Sequence, residues 1–272
     1  RLLDYESEWS DKVVPVVCDI KNQEKIAKIF SEQKPDIVFH AAAYKHVPLM
    51  ELYPEEAILT NITGSYNVFK AASDNNVDRV VVISTDKAVN PTNIMGATKR
   101  VVEMTTAAFN QNSKTDFCCV RFGNVIGSRG SMLPLFLEEI KAGKPITITN
   151  PNMTRFLMNL DEAVDLVKFA FEHANPGDLF IQKADASTIG DLAKAVQQLF
   201  GDSGTNIIGA RHGEKLFETL MTSEEKLRAE DMGAYYRVVA DSRDLNYDRL
   251  TTDNELESMT EEAYTSHNAL FF

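Results

Sequence analysis

The sequence predicts an α/β protein with a doubly wound parallel sheet, and three observations support this fold class. Segments with strand and helix character alternate along the first half of the chain. The strand-like runs are apolar throughout, which indicates strands that are covered on both faces. The connections between them are long enough for right-handed helical crossovers. Together these observations indicate a Rossmann-type sheet whose chain continues into a smaller C-terminal lobe.

The first half of the chain supplies the predicted strands and crossover helices. Val13 to Cys18 is apolar and β-branched, which favours a strand. Ile26, Ile29 and Phe30 have helical spacing, and Pro54 suits the first turn of a long helix. The predicted elements here are strands over 13–18, 37–40, 77–83 and 117–122, and helices over 22–33, 54–75 and 96–110.

The second half of the chain is predicted to form most of the smaller lobe. The elements expected here are helices over 133–142, 161–173 and 188–200 and a strand over 147–149. Thr188 suits the N-cap of the last helix, and Leu179 to Gln182 is apolar enough to return to the sheet as a late strand. We therefore expect a dinucleotide-binding domain over 1–125 that also receives about 158–183, and an interleaved substrate-binding lobe over 126–272.

The opening residues read as the end of a strand that has already begun. The chain starts Arg1-Leu2-Leu3-Asp4, without an initiator Met. We expect an N-terminal βα unit with its pyrophosphate-binding turn to be missing from this sequence, and membrane association only if an anchor precedes Arg1. An acid at the end of the second strand of such a sheet binds the adenosine ribose, so Asp4 favours NAD over NADP. A helix N-cap is the other interpretation of Asp4.

Composition excludes several classes of function. The chain has 272 residues and a net charge of -12, which argues against nucleic acid as a partner. Cys18, Cys118 and Cys119 lie in apolar runs without zinc-like spacing, so we expect reduced thiols in a cytoplasmic protein. No cluster of residues has metal-ligand spacing, and no metal is predicted. No apolar run is long enough to span a bilayer.

The stretch Ser84 to Lys99, which reads STDKAVNPTNIMGATK, contains most of the predicted chemistry. It follows a buried strand, at the edge where open parallel sheets bind ligands. Lys99 stands four residues after Met95. This resembles the Tyr-x-x-x-Lys pattern of the short-chain dehydrogenase/reductases, with Met in the place of the Tyr. Because a thioether cannot exchange protons, another group must move the proton at the oxidised carbon.

Asp86 and Lys87 are the best candidates for that proton transfer. A neighbouring acid and base suit an elimination, in which one group removes a proton and the other protonates the leaving hydroxyl. A solvated pair that caps the following turn is the alternative interpretation. The position at the end of a buried strand favours the catalytic interpretation.

The loop after the strand over 37–40 is a candidate cofactor contact. The small side chains of Ala41 and Ala42 allow the backbone to approach a cofactor closely. An ordinary turn between a strand and a helix is an equally good interpretation of these alanines. His46, in the same loop, could touch the substrate.

Polar residues later in the chain are candidate substrate contacts. Asn124, at a strand end, can hydrogen-bond a sugar, and Arg129 and Ser131 can bind phosphate oxygens. Arg155 and Arg211 come from distant segments and together suit a pyrophosphate. A surface salt bridge is the alternative interpretation for each arginine.

Taken together, the motifs resemble the nucleotide-sugar 4,6-dehydratases of the extended short-chain dehydrogenase/reductases. More narrowly, the chain looks like the bacterial UDP-N-acetylglucosamine 4,6-dehydratases of capsule, O-antigen and flagellin-glycan synthesis. The matching segments are HAAAYKHVPLME (40–51), STDKAVNPTNIMGATK (84–99), VRFGNVIGSRGSMLPLF (120–136), ITITNPNMTRFLM (146–158) and GARHGEKLFETL (209–220). Several members of this family also have Met in place of the Tyr. Some segments resemble members that retain the configuration at C5 and others resemble members that invert it, so both outcomes stay open.

The resemblance implies a reaction without net oxidation. Bound NAD or NADP takes hydride from C4 of the sugar and later returns it to C6. Lys87 abstracts the C5 proton, and Asp86 protonates the C6 hydroxyl as water leaves. Thr85 or Ser84 hydrogen-bonds the C4 oxygen, and Lys99 holds the nicotinamide ribose.

The resemblance also implies two binding surfaces. The implied cofactor contacts are Asp4, Asp19, Ile20, Ala41, Ala42, Lys45, Ser84 and Lys99. The implied contacts of the UDP-sugar are Lys45, His46, Asn124, Arg129, Ser131, Thr154, Arg155, Arg211 and Glu214. A homo-oligomer is expected, as is usual in the family.

Two other functions compete with the dehydratase. A UDP-hexose 4-epimerase shares the fold, the cofactor and the first oxidation, but it needs no acid–base pair at C5 and C6 and normally keeps its Tyr. A dinucleotide-sensing protein without activity would explain the loss of the Tyr. It would not explain an intact Asp86–Lys87 pair.

Overall fold

A six-stranded sheet forms the centre of the part of the protein that the computed structural model describes, residues 12–240 and 262–269. The described strands are β1 (Ile37–His40), β2 (Arg79–Ile83), β3 (Asp116–Arg121), β4 (Asn124–Val125), β5 (Ile146–Ile148), β6 (Thr154–Met158), β7 (Leu179–Gln182), β8 (Ala186–Thr188), β9 (Thr205–Ile207), β10 (Thr219–Met221), β11 (Ala229–Asp231), β12 (Tyr235–Val238) and β13 (Tyr264–Thr265). The described helices are α1 (Gln23–Gln33), α2 (Val47–Leu52), α3 (Pro54–Ala57), a π-helix (Ile58–Gly64), α4 (Ser65–Asp74), a 3-10 helix (Asp86–Ala88), α5 (Ile94–Asn112), α6 (Met132–Lys141), α7 (Leu160–His173), α8 (Ile189–Phe200) and α9 (Ser223–Leu227).

The first four strands in the sheet order β1-β2-β3-β7-β12-β11 are parallel. β2 pairs with β1 and β3 so that Val81 lies opposite Phe39 and Cys118. β7 pairs with β3 in the same direction, so Leu179–Gln182 returns to the sheet where the sequence predicts it. The predicted doubly wound α/β sheet is therefore confirmed.

Two antiparallel strands extend the sheet beyond the prediction. β12 pairs with β7, and β11 pairs with β12. Residues 229–238 thus complete the central sheet, although the sequence analysis assigns them to the substrate lobe. These strands read AED and YYRV, and such short, polar sequences at a sheet edge lack the apolar run that identifies a buried strand.

Helices cover both faces of the sheet, as the apolar strands indicate. On one face Val80 and Val82 pack with Phe69 of α4. On the other face Val81 packs with Leu166 of α7. All five of these side chains are buried. Because alternate residues of β2 are buried on opposite faces, its central run of valines, 80–82, has no polar position.

The predicted strand over Val13 to Cys18 is wrong. The segment has no regular secondary structure, and Val17 is 90% exposed. No described strand lies beside it, and β-branched residues form a strand only where a partner supplies ladder hydrogen bonds. By contrast, the next predicted helix is present, with Asn22 as its N-cap.

The substrate lobe has its own apolar core and its own small sheets. Phe136 of α6, Ile146 of β5 and Val196 of α8 are buried together. β6 pairs with β4 and β8, and β10 pairs with β13 of the C-terminal segment. Within residues 12–240 and 262–269, no helix combines the length and apolar character needed to cross a bilayer.

Candidate active site

Asp86 and Lys87 lie in a tight turn directly after β2. Thr85 caps this 3-10 turn, since its hydroxyl oxygen accepts a hydrogen bond from the Lys87 backbone N–H. The Thr85 hydroxyl donates to Asp86 Oδ1 at 2.8 Å, and Lys87 Nζ donates to the same oxygen at 3.0 Å. Asp86 is fully buried, and its Oδ2 has no hydrogen-bond partner among the described residues. Hydrogen bonds within the turn therefore hold the pair in place, and one oxygen of the Asp86 carboxylate can still accept a hydrogen bond.

Lys87 lies between two negative charges. Glu218 Oε1 is 3.6 Å from Lys87 Nζ, and the bonded Asp86 oxygen is 3.0 Å from it. Burial by itself would lower the pKa of Lys87, as would Arg155, but Asp86 and Glu218 outweigh them and raise this pKa. The resting ammonium thus keeps its proton at neutral pH.

Two further charged residues, Lys215 and Glu218, belong to this cluster, and the sequence analysis does not include them. Lys215 Nζ and Arg155 Nε each lie 3.9 Å from a Glu218 oxygen. Burial lowers the pKa of Lys215, against the opposing charge of Glu218. Both residues lie in the segment GARHGEKLFETL. The position of a charged residue directly before the apolar strand TLM is the signal that could have identified Glu218.

Lys99 and Ser84 lie behind the turn, at the start of α5 and the end of β2. Lys99 Nζ donates to the carbonyl oxygen of Ile83, and burial lowers the pKa of Lys99. The Ser84 hydroxyl donates to Glu103 Oε1 at 2.6 Å inside the protein. Glu103 thus takes the Ser84 hydroxyl proton, and the predicted contact of Ser84 with the cofactor or the C4 oxygen stays a prediction. Thr85 is partly exposed, and its hydroxyl donates to Asp86 Oδ1.

A buried ion network supports Ser84 from inside. Arg121 of β3 is fully buried and donates to both carboxylate oxygens of Glu103, at 3.1 and 2.8 Å. It also donates to both oxygens of Glu225, at 2.8 and 3.0 Å. Arg121 lowers the pKa of both glutamates despite their burial. Because Glu225 belongs to α9, this network joins the sheet to the lobe behind the catalytic turn.

The loop after β1 places its small residues on the surface. Ala41 and Ala42 are exposed, as close approach of a cofactor requires. Lys45 Nζ donates to Ser128 Oγ at 3.3 Å, so this loop meets the loop after β4. His46 caps α2, because its Nδ1 accepts the Leu49 N–H at 3.4 Å. His46 Nδ1 thus has a capping role, and the predicted substrate contact of His46 stays a prediction.

Two of the predicted cofactor contacts lie in the turn before α1, and a third lies outside the described residues. Asp19 is exposed, and its Oδ1 accepts the Lys21 N–H at 2.9 Å. Ile20 packs against Gly64, where an added Cβ would lie 2.6 Å from the Ile20 side chain. Asp4 is not among the described residues. The structure thus brings the 19–20 turn against the helix that follows β1.

Asn124 and Ser131 have buried oxygens that suit a polar ligand. Asn124 Oδ1 at the start of β4 and Ser131 Oγ before α6 have no hydrogen-bond partner among the described residues. Arg129, between them in sequence, is exposed. Buried polar atoms are normally satisfied, and sugar hydroxyls and phosphates would satisfy these two. The arrangement fits the predicted substrate side of the site.

Thr154 and Arg155 of β6 are buried and already bonded. The Thr154 hydroxyl lies 2.8 Å from Ser266 Oγ. The Arg155 guanidinium donates to the carbonyl oxygens of Thr154 at 2.7 Å and of Lys215 at 3.0 Å. The predicted pyrophosphate contact of Arg155 and the predicted substrate contact of Thr154 stay predictions, and both side chains already have partners within the protein. These side chains hold the 215–218 segment and the C-terminal segment in place.

The loop before Lys215 contains the remaining pair of predicted contacts. The Arg211 side chain is exposed, so it is free to meet a phosphate. Glu214 Oε2 accepts the Arg211 backbone N–H at 3.1 Å. One Glu214 oxygen thus closes this turn, and the predicted UDP-sugar contact of Glu214 stays a prediction.

Thiol and metal chemistry find no support among the described residues. Burial raises the pKa of Cys118 and of Cys119 to about 12, so neither thiol forms a thiolate readily. The described part of the chain has no group of three or more His, Cys, Asp or Glu side chains placed to hold a metal ion.

Comparison with known proteins adds evidence that the site alone does not provide. A family profile described as "Polysaccharide biosynthesis protein" matches residues 4–240. A protein of Rickettsia bellii (strain OSU 85-389) named UDP-glucose 4-epimerase is 49% identical over 261 residues, which are 94% of this chain and 76% of that protein. A protein with the same name from Rickettsia bellii (strain RML369-C) is 53% identical over 237 residues, or 86% and 70% of the two chains.

Solved structures give the same picture of the fold. The X-ray structure of Pen from Bacillus thuringiensis has a TM-score of 0.85 and 35% identity, and the match covers 97% of this chain and 81% of that one. DesIV from Streptomyces venezuelae, a dTDP-glucose 4,6-dehydratase solved with NAD and TYD bound, has a TM-score of 0.69 and 20% identity over 73% of this chain and 68% of that one. At this identity, the likeness to DesIV shows the fold alone.

Proposed function

Because this chain belongs to the polysaccharide biosynthesis protein family, we propose that the intact protein is a nucleotide-sugar 4,6-dehydratase that acts on UDP-N-acetylglucosamine. The coarser statement, an enzyme that modifies nucleotide sugars, agrees with the names of its relatives. The observation that supports the dehydratase most directly is the buried Asp86–Lys87 pair, joined at 3.0 Å at the end of a central strand.

The residues at the strand ends fit a nicotinamide cofactor and a UDP-sugar. Lys99 would hold the nicotinamide ribose, and the exposed Ala41 and Ala42 would let backbone approach the dinucleotide. The unsatisfied oxygens of Asn124 and Ser131 would meet the sugar and phosphate side. When bound, NAD or NADP supplies the oxidation at C4 and the reduction at C6.

The Asp86–Lys87 pair supplies the proton chemistry. A base must be free of its own proton, yet the raised pKa of Lys87 means that the resting amine has one. Transfer of this proton across the 3.0 Å hydrogen bond to Asp86 gives a neutral amine and a neutral carboxylic acid together. The amine then takes the C5 proton, whose acidity comes from the C4 carbonyl. The electrons of the C5–H bond form the C5=C6 bond, the C6–O bond breaks, and the Asp86 proton leaves with the hydroxyl as water.

A 4-epimerase is the second candidate, because the curated relatives bear that name. An epimerase oxidises C4 and reduces it again from the other face, so it needs no base at C5 and no acid at C6. In such an enzyme the buried Asp86–Lys87 pair would have no proton to move at these carbons. The pair therefore favours the dehydratase.

The test is to incubate the intact protein with UDP-N-acetylglucosamine and nicotinamide cofactor and to follow the mass of the product. The dehydratase gives a product lighter by one water. Appearance of the 4-epimer at unchanged mass would support the epimerase instead. No turnover, with dinucleotide still bound, would support a sensing protein.

A further inference from the structure

Glu218 is a buried carboxylate whose backbone is fixed on both sides. Its N–H donates to Ser266 Oγ at 2.9 Å, and its carbonyl oxygen accepts the Ser266 N–H at 2.9 Å. The residue is 3% exposed and directly precedes β10. The C-terminal segment therefore holds this side chain at a set position beside the catalytic turn.

The carboxylate of Glu218 lies among three cations but accepts no direct hydrogen bond from any of them. The distances are 3.6 Å to Lys87 Nζ and 3.9 Å to both Lys215 Nζ and Arg155 Nε. Glu218 Oε2 is buried without a hydrogen-bond partner among the described residues. Such a carboxylate is costly to bury, so its retention calls for a role beyond stability.

Two of the three cations are committed to carbonyl oxygens. Lys215 Nζ donates to the Val89 carbonyl at 2.6 Å, and Arg155 donates to the carbonyls of Thr154 and Lys215. Lys87 differs from them, because its only hydrogen-bond partner in the described residues is Asp86, which is itself proposed to change its proton state. Glu218 is thus the constant negative charge beside Lys87.

The elimination requires one proton to be shared by Asp86 and Lys87. A negative charge beside Lys87 favours the protonated pair, and Glu218, 3.6 Å away, supplies this charge. We infer that Glu218 is a positioning residue that keeps the shared proton on the Asp86–Lys87 pair, an inference that rests on the proposed dehydratase reaction.

Four charged groups face Lys87, and they set the direction of a pH test. Asp86 comes from its own turn, Glu218 and Lys215 from the segment before β10, and Arg155 from β6. The reaction needs one proton shared by Asp86 and Lys87, so activity falls at high pH where that proton is lost. Removing the negative charge of Glu218 weakens the hold on this proton. The high-pH limb of the rate profile should therefore move to lower pH.

The experiment compares Glu218→Gln with wild type in single turnovers on UDP-N-acetylglucosamine with bound nicotinamide cofactor. We expect loss of water to slow by about 10- to 100-fold at pH values where Glu218→Gln has lost the shared proton and wild type has kept it, with C4 oxidation unchanged. Reduced nicotinamide should then accumulate, visible by its absorbance, and the high-pH limb should shift down. Glu224→Gln, which removes an exposed carboxylate six residues further along, is the matched control and should behave as wild type.

The possible failures can be told apart. Wild type that releases no water would refute the proposed function itself. If Glu218→Gln loses water at the wild-type rate with an unshifted high-pH limb, only the role of Glu218 is overturned. Equal slowing of C4 oxidation and water loss in this variant would also overturn that role. If Glu218→Gln does not fold, Glu218→Asp serves instead, because it keeps the charge but places it farther from Lys87. The inference would be contradicted if Glu218→Asp had the same ratio of C4 oxidation rate to water-loss rate as wild type and the same high-pH limb.

Discussion

At the scale of single residues, the proposed reaction places C4 oxidation at Thr85 and elimination at the Asp86–Lys87 pair. C4 oxidation requires removal of the C4 hydroxyl proton, and Thr85 is the partly exposed hydroxyl at this turn. Elimination requires a base and an acid at C5 and C6, and the Asp86–Lys87 pair offers both within one hydrogen bond of 3.0 Å. The two half-reactions should therefore respond differently to substitution of Lys87.

Replacing Lys87 by Ala should separate the two half-reactions. Elimination should slow by about 10²- to 10⁴-fold, since a positioned acid–base group contributes that much. Dinucleotide binding and C4 oxidation should survive, so reduced nicotinamide should accumulate without loss of water. Lys70→Ala, which removes an exposed lysine paired with Asp74, is the control. Water loss at the normal rate in Lys87→Ala would remove Lys87 from its role.

Met95 occupies the place of the expected Tyr but does not serve as a replacement for it. The side chain is 4% exposed and packs with Met50 and Ala57. The apolar cluster formed by α2, α3 and α5 thus fills the position. The sequence shows Met in the place of the Tyr, and the packing shows that this position belongs to an apolar core.

Restoring the Tyr should therefore damage the protein. Met95→Tyr introduces a larger side chain and a hydroxyl into a packed cluster, and we expect a loss of about 1–3 kcal/mol in the free energy of unfolding. Urea denaturation measures it, with Met95→Leu as the volume-conserving control. A Tyr variant of unchanged stability and increased turnover would contradict this account of Met95.

At the scale of elements, the turn after β2 and the first turn of α5 form one unit. Asn93 caps α5 by accepting the Gly96 N–H at 2.8 Å, and its Nδ2 donates to the Gly213 carbonyl of the lobe at 3.1 Å. A Cβ on Gly96 would lie 2.2 Å from the Lys87 carbonyl oxygen. The absence of a side chain at Gly96 therefore fixes how closely the helix approaches the catalytic turn.

Gly96→Ala tests this unit. In an exposed helix such a change would stabilise by about 1 kcal/mol, but here the added methyl must displace the Lys87 backbone. We expect turnover to fall at least about tenfold, because small displacements of catalytic groups are costly. Ala97→Gly in the same helical turn should lose stability and keep turnover. Wild-type turnover in Gly96→Ala would show that the turn tolerates the shift.

Prediction from sequence succeeded for elements that are defined by their own residues. β1 and β7 have the predicted bounds because each is a continuous apolar run. The 13–18 segment was wrong and β12 was missed because a strand depends on its partner as well as on its composition. In the proposed site, Asp86 and Lys87 could be suggested from the sequence because they are adjacent in the chain. Glu218, which reaches Lys87 only through the fold, was not predicted.

At the scale of the whole molecule, buried charge and buried histidine link folding to pH. His40, at the end of β1, lies 2.8 Å from Ser65 Oγ of α4. Burial, together with the charge of Lys99, lowers the pKa of His40 from 6.5 to about 4. Between these two pKa values, His40 is therefore protonated in the unfolded chain and neutral in the folded protein. The stability that His40 contributes is present above its pKa in the unfolded chain, and it is lost as the pH falls toward its pKa in the folded protein.

Wild type should lose about 2 kcal/mol of unfolding free energy through His40 between about pH 7 and about pH 5. Urea denaturation at the two pH values measures the loss. His40→Gln, which keeps a neutral polar group near Ser65, should lose correspondingly less over the same interval. An equal loss in both proteins would assign the acid sensitivity to other groups.

The central claim is that this molecule breaks the C5–H bond of its substrate, and turnover in deuterium oxide tests it most directly. Lys87, once it bears the C5 proton, exchanges with solvent before C5 is protonated again. The account predicts a 4-keto-6-deoxy product with deuterium at C5, read by proton NMR together with the configuration at that carbon. A 4-epimer that contains no solvent deuterium at carbon would contradict it, because hydride transfer at C4 alone leaves the C5–H bond intact.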